Sequence, residues 1–212
     1  MERDYGYRPS ILDGTEYVFD VQENTSLPET YSYIKFLPPV LNQGATNTCV
    51  PHSLEAHLDW NHNVDGGGQS FNTNDIAMRD IYEARSNKYE DVGMTFKDAL
   101  DYLRKTGVRS GDGTMKIRGY ARVLSDLGLK YALVMNGPCV GALRVFNEGP
   151  QFWHQEWSGQ EFLGGHAIAI VGYNKEGFII RNSWGKGWAD HGYTVIPYDQ
   201  VNNFLELWTI FD

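Results

Sequence analysis

The sequence predicts an α+β chain of two lobes, and three observations carry that prediction. Apolar residues recur at helical spacing through much of the first half. Short, bulky apolar runs separated by turn formers fill most of the second half. At 212 residues, with 42% hydrophobic and 21% charged side chains, the chain is large enough for one sizeable domain or two small lobes with a proper core.

Residues 1 to about 36 show no sustained period and carry turn formers such as "DGT", "ENTS" and "LPET", which predicts an extended N-terminal segment. Its aromatic and apolar run "YGYRPSILDGTEYVFDV" is expected to pack on the body as a strap rather than to plug a cleft. From 49 to about 61, Val50, Leu54 and Leu58 predict a helix with Thr48 as its N-cap. Pro51 falls in its first turn, where a missing N–H costs nothing, and "VDGGGQS" ends it. A second helix is expected over 75–85, with Ile76, Ile81 and Ala84 on one face. A third begins at Thr95, where "TFKD" offers a capping box through Asp98, and Gly107 stops it. After a further helical stretch, "LSDLGLKYALVM", come the strands of a curled antiparallel sheet: "CVGALRVF", "HAIAIVGY", "GFIIRNSW", "GYTVIP" and "LWTIF". The helical lobe is thus placed at about 41–110 and the β lobe at about 111–212, with a cleft between them as the expected site.

The formal charge of −9 argues against nucleic acid or an anionic membrane as partner, because no basic stripe exists to displace counterions. No apolar run approaches the roughly 18 residues of a membrane span, and no secretory signal is visible behind "MERDYGYRPS". Cys49 and Cys139 are too few for a disulfide framework, so a reducing, cytoplasmic setting is expected. "DGGGQS" lacks the lysine and hydroxyl residue of a phosphate loop and reads as a flexible connection. No cofactor and no metal are called for. His52, His57 and His62 recur every five residues, which spreads them around a helix, and they are expected to be solvated or cap-side residues.

The chemistry concentrates at four residues. Cys49 ends the turn-prone run "NQGATNTCV" at the mouth of a helix, where unpaired N–H groups and the helix dipole favour a thiolate. Taken alone, a buried apolar cysteine would explain it as well, and Cys139 is read that way, as a strand residue. His166 stands at the start of a strongly apolar strand after two glycines, placed to project into a cleft and in need of a partner. Asn182 ends the following strand. If the two strands pair, its side-chain oxygen accepts the imidazole N–H and fixes tautomer and orientation, and Trp184 shelters that bond.

These segments together resemble the papain-like cysteine peptidases. "NQG" followed by the cysteine is similar to that family's oxyanion and nucleophile segment, "GGHAIAIVGY" to its histidine strand, and "RNSWGKGWADHGY" to its asparagine segment. The order Cys, His, Asn agrees, and the resemblance covers about residues 27–212. It implies a two-lobe fold, a helical lobe and an antiparallel β-barrel lobe, with the cleft between them. It implies Cys49 as nucleophile, His166 as base, Asn182 as orienter and Gln43 as oxyanion donor. Trp184 and Trp188 match tryptophans beside the asparagine and the leaving-group side. "GMTFKDALDYLRKTGV" places Gly93 and Met94 beside the substrate backbone. "GPCVGAL" places Ala142 in the pocket for the second residue before the scissile bond, with Gly165 and Ala167 flanking the histidine. The nucleophile segment departs from the family in lacking its glycine, second cysteine and tryptophan, and the Cys-to-His separation is shorter than the usual roughly 130 residues. A compact intracellular branch without a long propeptide, resembling bacterial or phage-type members, is the expectation.

The function so implied is hydrolysis of peptide bonds through a thioester acyl-enzyme, by a monomer acting on polypeptide. The same site would also suit acyl transfer, or amidase action on peptidoglycan or isopeptide links. An idle structural protein with a peptidase fold is the remaining alternative, and the full set of Cys, His, Asn and Gln argues against it.

Overall fold

The computed structural model describes residues 5–21, 26–64, 75–89, 92–110 and 113–212. The expected glycine-rich helix break and connection, residues 65–70, lies outside them. Among the described residues four α-helices form: α1 (Cys49–Val64), α2 (Asp75–Glu83), α3 (Phe96–Lys105) and α4 (Asp126–Asn136). Nine strands accompany them. These are β1 (Tyr31–Ser32), β2 (Val108–Ser110), β3 (Gly113–Met115), β4 (Gly119–Arg122) and β5 (Cys139–Val145), then β6 (Gly164–Tyr173), β7 (Gly177–Arg181), β8 (Tyr193–Pro197) and β9 (Phe204–Phe211).

The large sheet is antiparallel and runs β4-β9-β5-β6-β7-β8, with β1 paired to the end of β6. Its described strands form the one curled antiparallel sheet of the β lobe. Each predicted apolar run became a strand of this sheet. Because β5 to β7 are covered on both faces, they read as unbroken apolar runs without alternation. Two registers matter for the site: Ala142 lies opposite Ala167 on β6 and opposite Glu206 on β9.

The helix ends follow local chemistry, with corrections. Thr95 caps α3 by accepting from the Asp98 N–H at 3.0 Å, but the Asp98 carboxylate accepts from the Ser86 N–H and hydroxyl, so the expected capping box is only half made. Gly107, at φ +79°, stops the helix in a left-handed conformation. Ser125 caps α4 by accepting from Gly128 N–H. α2 ends two residues short of Arg85, whose guanidinium lies 3.9 Å from the Tyr82 ring centre.

α1 is the central correction. It packs against β6, β5, α2 and α3, and every residue from Cys49 to Asp59 is buried. Neither His52 nor His57 is solvated: His52 is a cap-side residue, and His57 is neither solvated nor at a cap. His52 shares its Nδ1 with the Thr48 carbonyl at 2.7 Å. His57 is fully enclosed, with Nδ1 2.9 Å from the Pro138 carbonyl and Nε2 2.7 Å from Asp212. Over Cys49–Asp59 the wedged helix has no wet face, so its polar residues there must find protein partners. Among the described residues no cluster of histidine, cysteine and carboxylate groups has the makings of a metal site.

Candidate active site

Cys49 opens α1, and its thiol is fully enclosed. Burial pushes the thiol up to about 11, although the backbone N–H groups of Ala167, Gly6 and Val50 pull the other way. The helix end alone therefore does not deliver the expected thiolate in this conformation: desolvation outweighs it. Cys139, on β5, is also fully enclosed; its thiol is pushed up to about 12 by burial and points to the Gly137 carbonyl at 3.7 Å. Both cysteines are free.

The Ala167 N–H that reaches Cys49 belongs to the residue after His166, so nucleophile and imidazole come from adjoining backbone. His166 donates from Nε2 to the Asn182 Oδ1 at 2.7 Å. That oxygen can only accept, so the tautomer is set and Nδ1 carries the lone pair. The same Oδ1 accepts from the Ser183 N–H at 2.8 Å, which holds the amide in place. Trp184 lies over the imidazole, ring centres 4.7 Å apart at 30°, and Phe152 meets it edge-on at 5.7 Å. Trp188 stands across Trp184 at 86° and donates its indole N–H to the Glu148 carbonyl.

Gln43 is brought in by a short antiparallel contact between the two loops. Its N–H donates to the Ser183 carbonyl at 2.9 Å, Asn42 bridges Trp184, and the Gly185 N–H donates to Leu41. The Gln43 side chain is tied at both ends: Oε1 accepts from the Ser183 hydroxyl at 2.6 Å, and Nε2 donates to the Thr46 carbonyl at 2.8 Å. An amide has two N–H groups, so one is left over from Thr46 for a reacting oxygen. Ser183 thus sits under both Gln43 and Asn182, a role that "RNSW" only hinted at.

The N-terminal segment is where the structure departs most from the expectation. Residues 17–19 do form a strap, exchanging the Phe19 N–H and the Tyr17 carbonyl with Arg122 of β4 at 2.8 Å each. Residues 5–8, however, lie in the cleft. Tyr5 faces His166 and Trp184, with ring centres 6.4 and 6.5 Å away. Gly6 approaches the nucleophile loop so closely that a Cβ there would sit 2.0 Å from the Asn47 carbonyl oxygen. The Met94 N–H donates to the Gly6 carbonyl at 2.8 Å and the Arg8 N–H to the Met94 carbonyl at 2.9 Å, a parallel bridge. Gly93 (φ +92°) stands 2.5 Å, by its missing Cβ, from the Gly6 oxygen.

Tyr7 enters the apolar cluster that contains Met94, Phe96, Ala142 and Ala167, passing over Gly165. At its tip it donates to Glu206 Oε1 at 2.7 Å. Glu206 is the site residue that reading the sequence missed. Its signal was faint: a carboxylate in "LELWTI", two and four residues before Trp208 and Ile210, on the face of β9 that should be apolar. The structure thus gathers Gln43, Gly93, Met94, Ala142, Gly165, Ala167, Trp184 and Trp188 around Cys49, His166 and Asn182.

Comparison with known proteins bears on the family and the fold. The family model described as papain family cysteine protease matches residues 39–205. An uncharacterized peptidase C1-like protein of Acanthamoeba polyphaga mimivirus is 40% identical over 96% of this chain and 76% of its own length. Papain from Carica papaya is 24% identical over 78% of this chain and 53% of its own length, so this chain spans only part of such relatives. Among solved structures, xylellain, a cysteine protease from Xylella fastidiosa, superimposes with a TM-score of 0.80 at 24% identity, covering 98% of this chain and 95% of that one. With the family model spanning most of the sequence and the viral relative aligned along nearly all of it, this chain belongs to the papain family of cysteine proteases and is a hydrolase of the cysteine peptidase class.

Proposed function

We propose that this chain cleaves peptide bonds in polypeptides through Cys49, and that its own residues 5–8 hold it latent. His166 Nδ1 takes the thiol proton, and the Cys49 sulfur attacks the carbonyl carbon. The resulting oxyanion is met by the Gln43 side-chain N–H and the Cys49 backbone N–H. His166, held by Asn182, then gives the proton to the leaving amine, leaving a thioester. Water enters, His166 accepts its proton, and attack on the thioester releases the acid and restores the thiol. A monomer in a reducing compartment suits two unpaired thiols, and the net charge of −9 favours neither nucleic acid nor an anionic membrane. Among the described residues no helix is long and apolar enough to cross a membrane.

The observation that carries this reading is the backbone pairing of Gly6 and Arg8 with Met94 directly over Cys49. A cleft that pairs with an extended chain is a peptide-binding cleft. The bound segment runs from the Trp184 side toward Gly93, opposite to a substrate whose leaving group lies by Trp184. Its Gly6 carbonyl is engaged by the Met94 N–H, and this reversed run explains why the segment can lie across the nucleophile uncut.

The test is a peptidyl epoxide that alkylates thiols of this family, applied to the intact chain and to the full-length Tyr7→Gly variant, with peptide mass mapping. Cys49 is expected to be modified slowly in the first and rapidly in the second, with Cys139 spared in both. Equal labelling of the two cysteines would refute the assignment, and equal rates in the two proteins would refute latency.

A further inference from the structure

Glu206 and the hole occupied by Tyr7 have a meaning beyond latency. Resting on the peptidase reading above, we infer that this hole is a pocket for a tyrosine side chain of the substrate, and that Glu206 is the residue that recognises its hydroxyl. The hole is shaped for a ring. Tyr7 is 3% exposed; Phe96 lies 5.9 Å away, ring centre to ring centre, and Gly165 borders the ring so closely that a Cβ there would stand 2.3 Å from it. Only a glycine at 165 leaves this room.

The floor of the hole is built to accept a hydrogen bond. Glu206 is buried, and its Oε2 is pinned by the Trp208 indole N–H at 2.9 Å, which directs Oε1 into the hole. Oε1 collects three donors, all from the N-terminal segment: the Tyr7 hydroxyl at 2.7 Å, and the Ser10 N–H and hydroxyl at 3.2 Å each. When the segment leaves, a buried acceptor loses all three. A ligand that fills the hole without donating leaves that oxygen dry and unpaired, which a site penalises more than the loss of a contact. A phenylalanine side chain does so; a tyrosine side chain does not. The position beside Gly93, Met94 and Ala142 makes the substrate residue the second before the scissile bond.

The experiment uses the full-length Tyr7→Gly variant, in which the hole is vacated, and three peptide amides with one fluorogenic leaving group. They differ only at the second residue before the scissile bond: Tyr, Phe or Arg. The expected result is kcat/KM for Tyr about 10-fold or more above Phe, and above Arg as well. Adding Glu206→Gln should bring Tyr and Phe to within about 3-fold of each other. The Tyr-to-Phe comparison stands by itself if that second variant does not fold. Equal rates for Tyr and Phe, or Arg as the best of the three, would overturn the inference while rapid epoxide labelling of Cys49 leaves the peptidase reading intact. Failure to cut any peptide together with an unlabelled Cys49 would sink both.

Discussion

At Cys49 two effects of known sign compete. The helix start and the N–H groups of Ala167 and Gly6 stabilise a thiolate, while complete burial opposes it and wins, holding the thiol near 11. Since one of those N–H groups and much of the cover come from the N-terminal segment, the thiol of the opened enzyme faces a different balance. Cys49→Ala and His166→Ala are each expected to abolish peptide hydrolysis in the Tyr7→Gly background, measured with a fluorogenic amide. Gln43→Ala should lower kcat by on the order of 10²-fold, the usual scale for one oxyanion donor. Ser183→Ala should show a smaller loss of the same kind, because it frees the Gln43 amide to swing without removing it. An unchanged kcat in Gln43→Ala would show that another group holds the oxyanion. The residues in this set were legible because their chemistry and order in the chain are themselves the signal. Glu206 and Tyr7 were not, because each is ordinary in its own stretch and they meet only through a contact between the chain's two ends.

At the scale of elements, α1 joins the nucleophile to the strand that carries Asn182. Glu55 on α1 and Arg181 on β7 form a buried pair at 2.9 Å, and the same guanidinium reaches the Pro38 and Pro39 carbonyls and the Tyr193 hydroxyl. One turn along, Asp59 shares the buried face with Glu55. Burial pushes Glu55 up to about 8, helped by Asp59 and opposed by Arg181. Two carboxyl groups against one guanidinium favour keeping a proton below about pH 8 in the folded state. A carboxyl raised in this way binds its proton more tightly when folded, so its contribution is full below pH 4.5, its ordinary value, and is lost as pH rises through about 8. The melting temperature should therefore decline across that window, and the Glu55→Gln variant should flatten the decline. A steep decline that persists in Glu55→Gln would assign it elsewhere. Arg181→Met is expected to cost about 3–5 kcal/mol by leaving buried carboxyl groups without their cation. Helix and strand positions were readable from period and caps, since those signals are local. The depth of α1 was not: Ser53, Glu55, His57 and Asp59 make a helix look half-wet, and only the packing of both lobes around it shows otherwise.

At the scale of the whole molecule, the latency proposed above gives residues 5–21 two separable jobs. The strap, residues 13–21, pairs with β4 and sets Glu16 against Lys97 of α3 at 2.7 Å. The plug, residues 5–8, fills the cleft and buries Tyr7, a side chain whose removal from water is worth roughly 1.5–3 kcal/mol. Tethering strengthens the plug far beyond that figure, because a segment on a short linker competes at an effective concentration on the order of millimolar. A substrate at micromolar concentration loses to it, so the chain with residues 5–8 in place should be slow even with every catalytic group present. Two deletions separate the jobs. Removing residues 1–12 takes away the plug and keeps the strap; the peptidase rate should rise at least several-fold while the melting temperature changes by only a few degrees. Removing residues 1–26 takes away both; the rate per folded molecule should rise equally, and the melting temperature should fall further as Arg122 of β4 loses its two backbone bonds to the strap. The point variant Gly6→Ala makes the same case without shortening the chain, because its Cβ cannot coexist with the Asn47 carbonyl at 2.0 Å and must lift the segment from the nucleophile. If the shorter deletion and Gly6→Ala both leave the rate where it was, residues 5–8 do not restrain the enzyme, and their place in the cleft is only that of a strap.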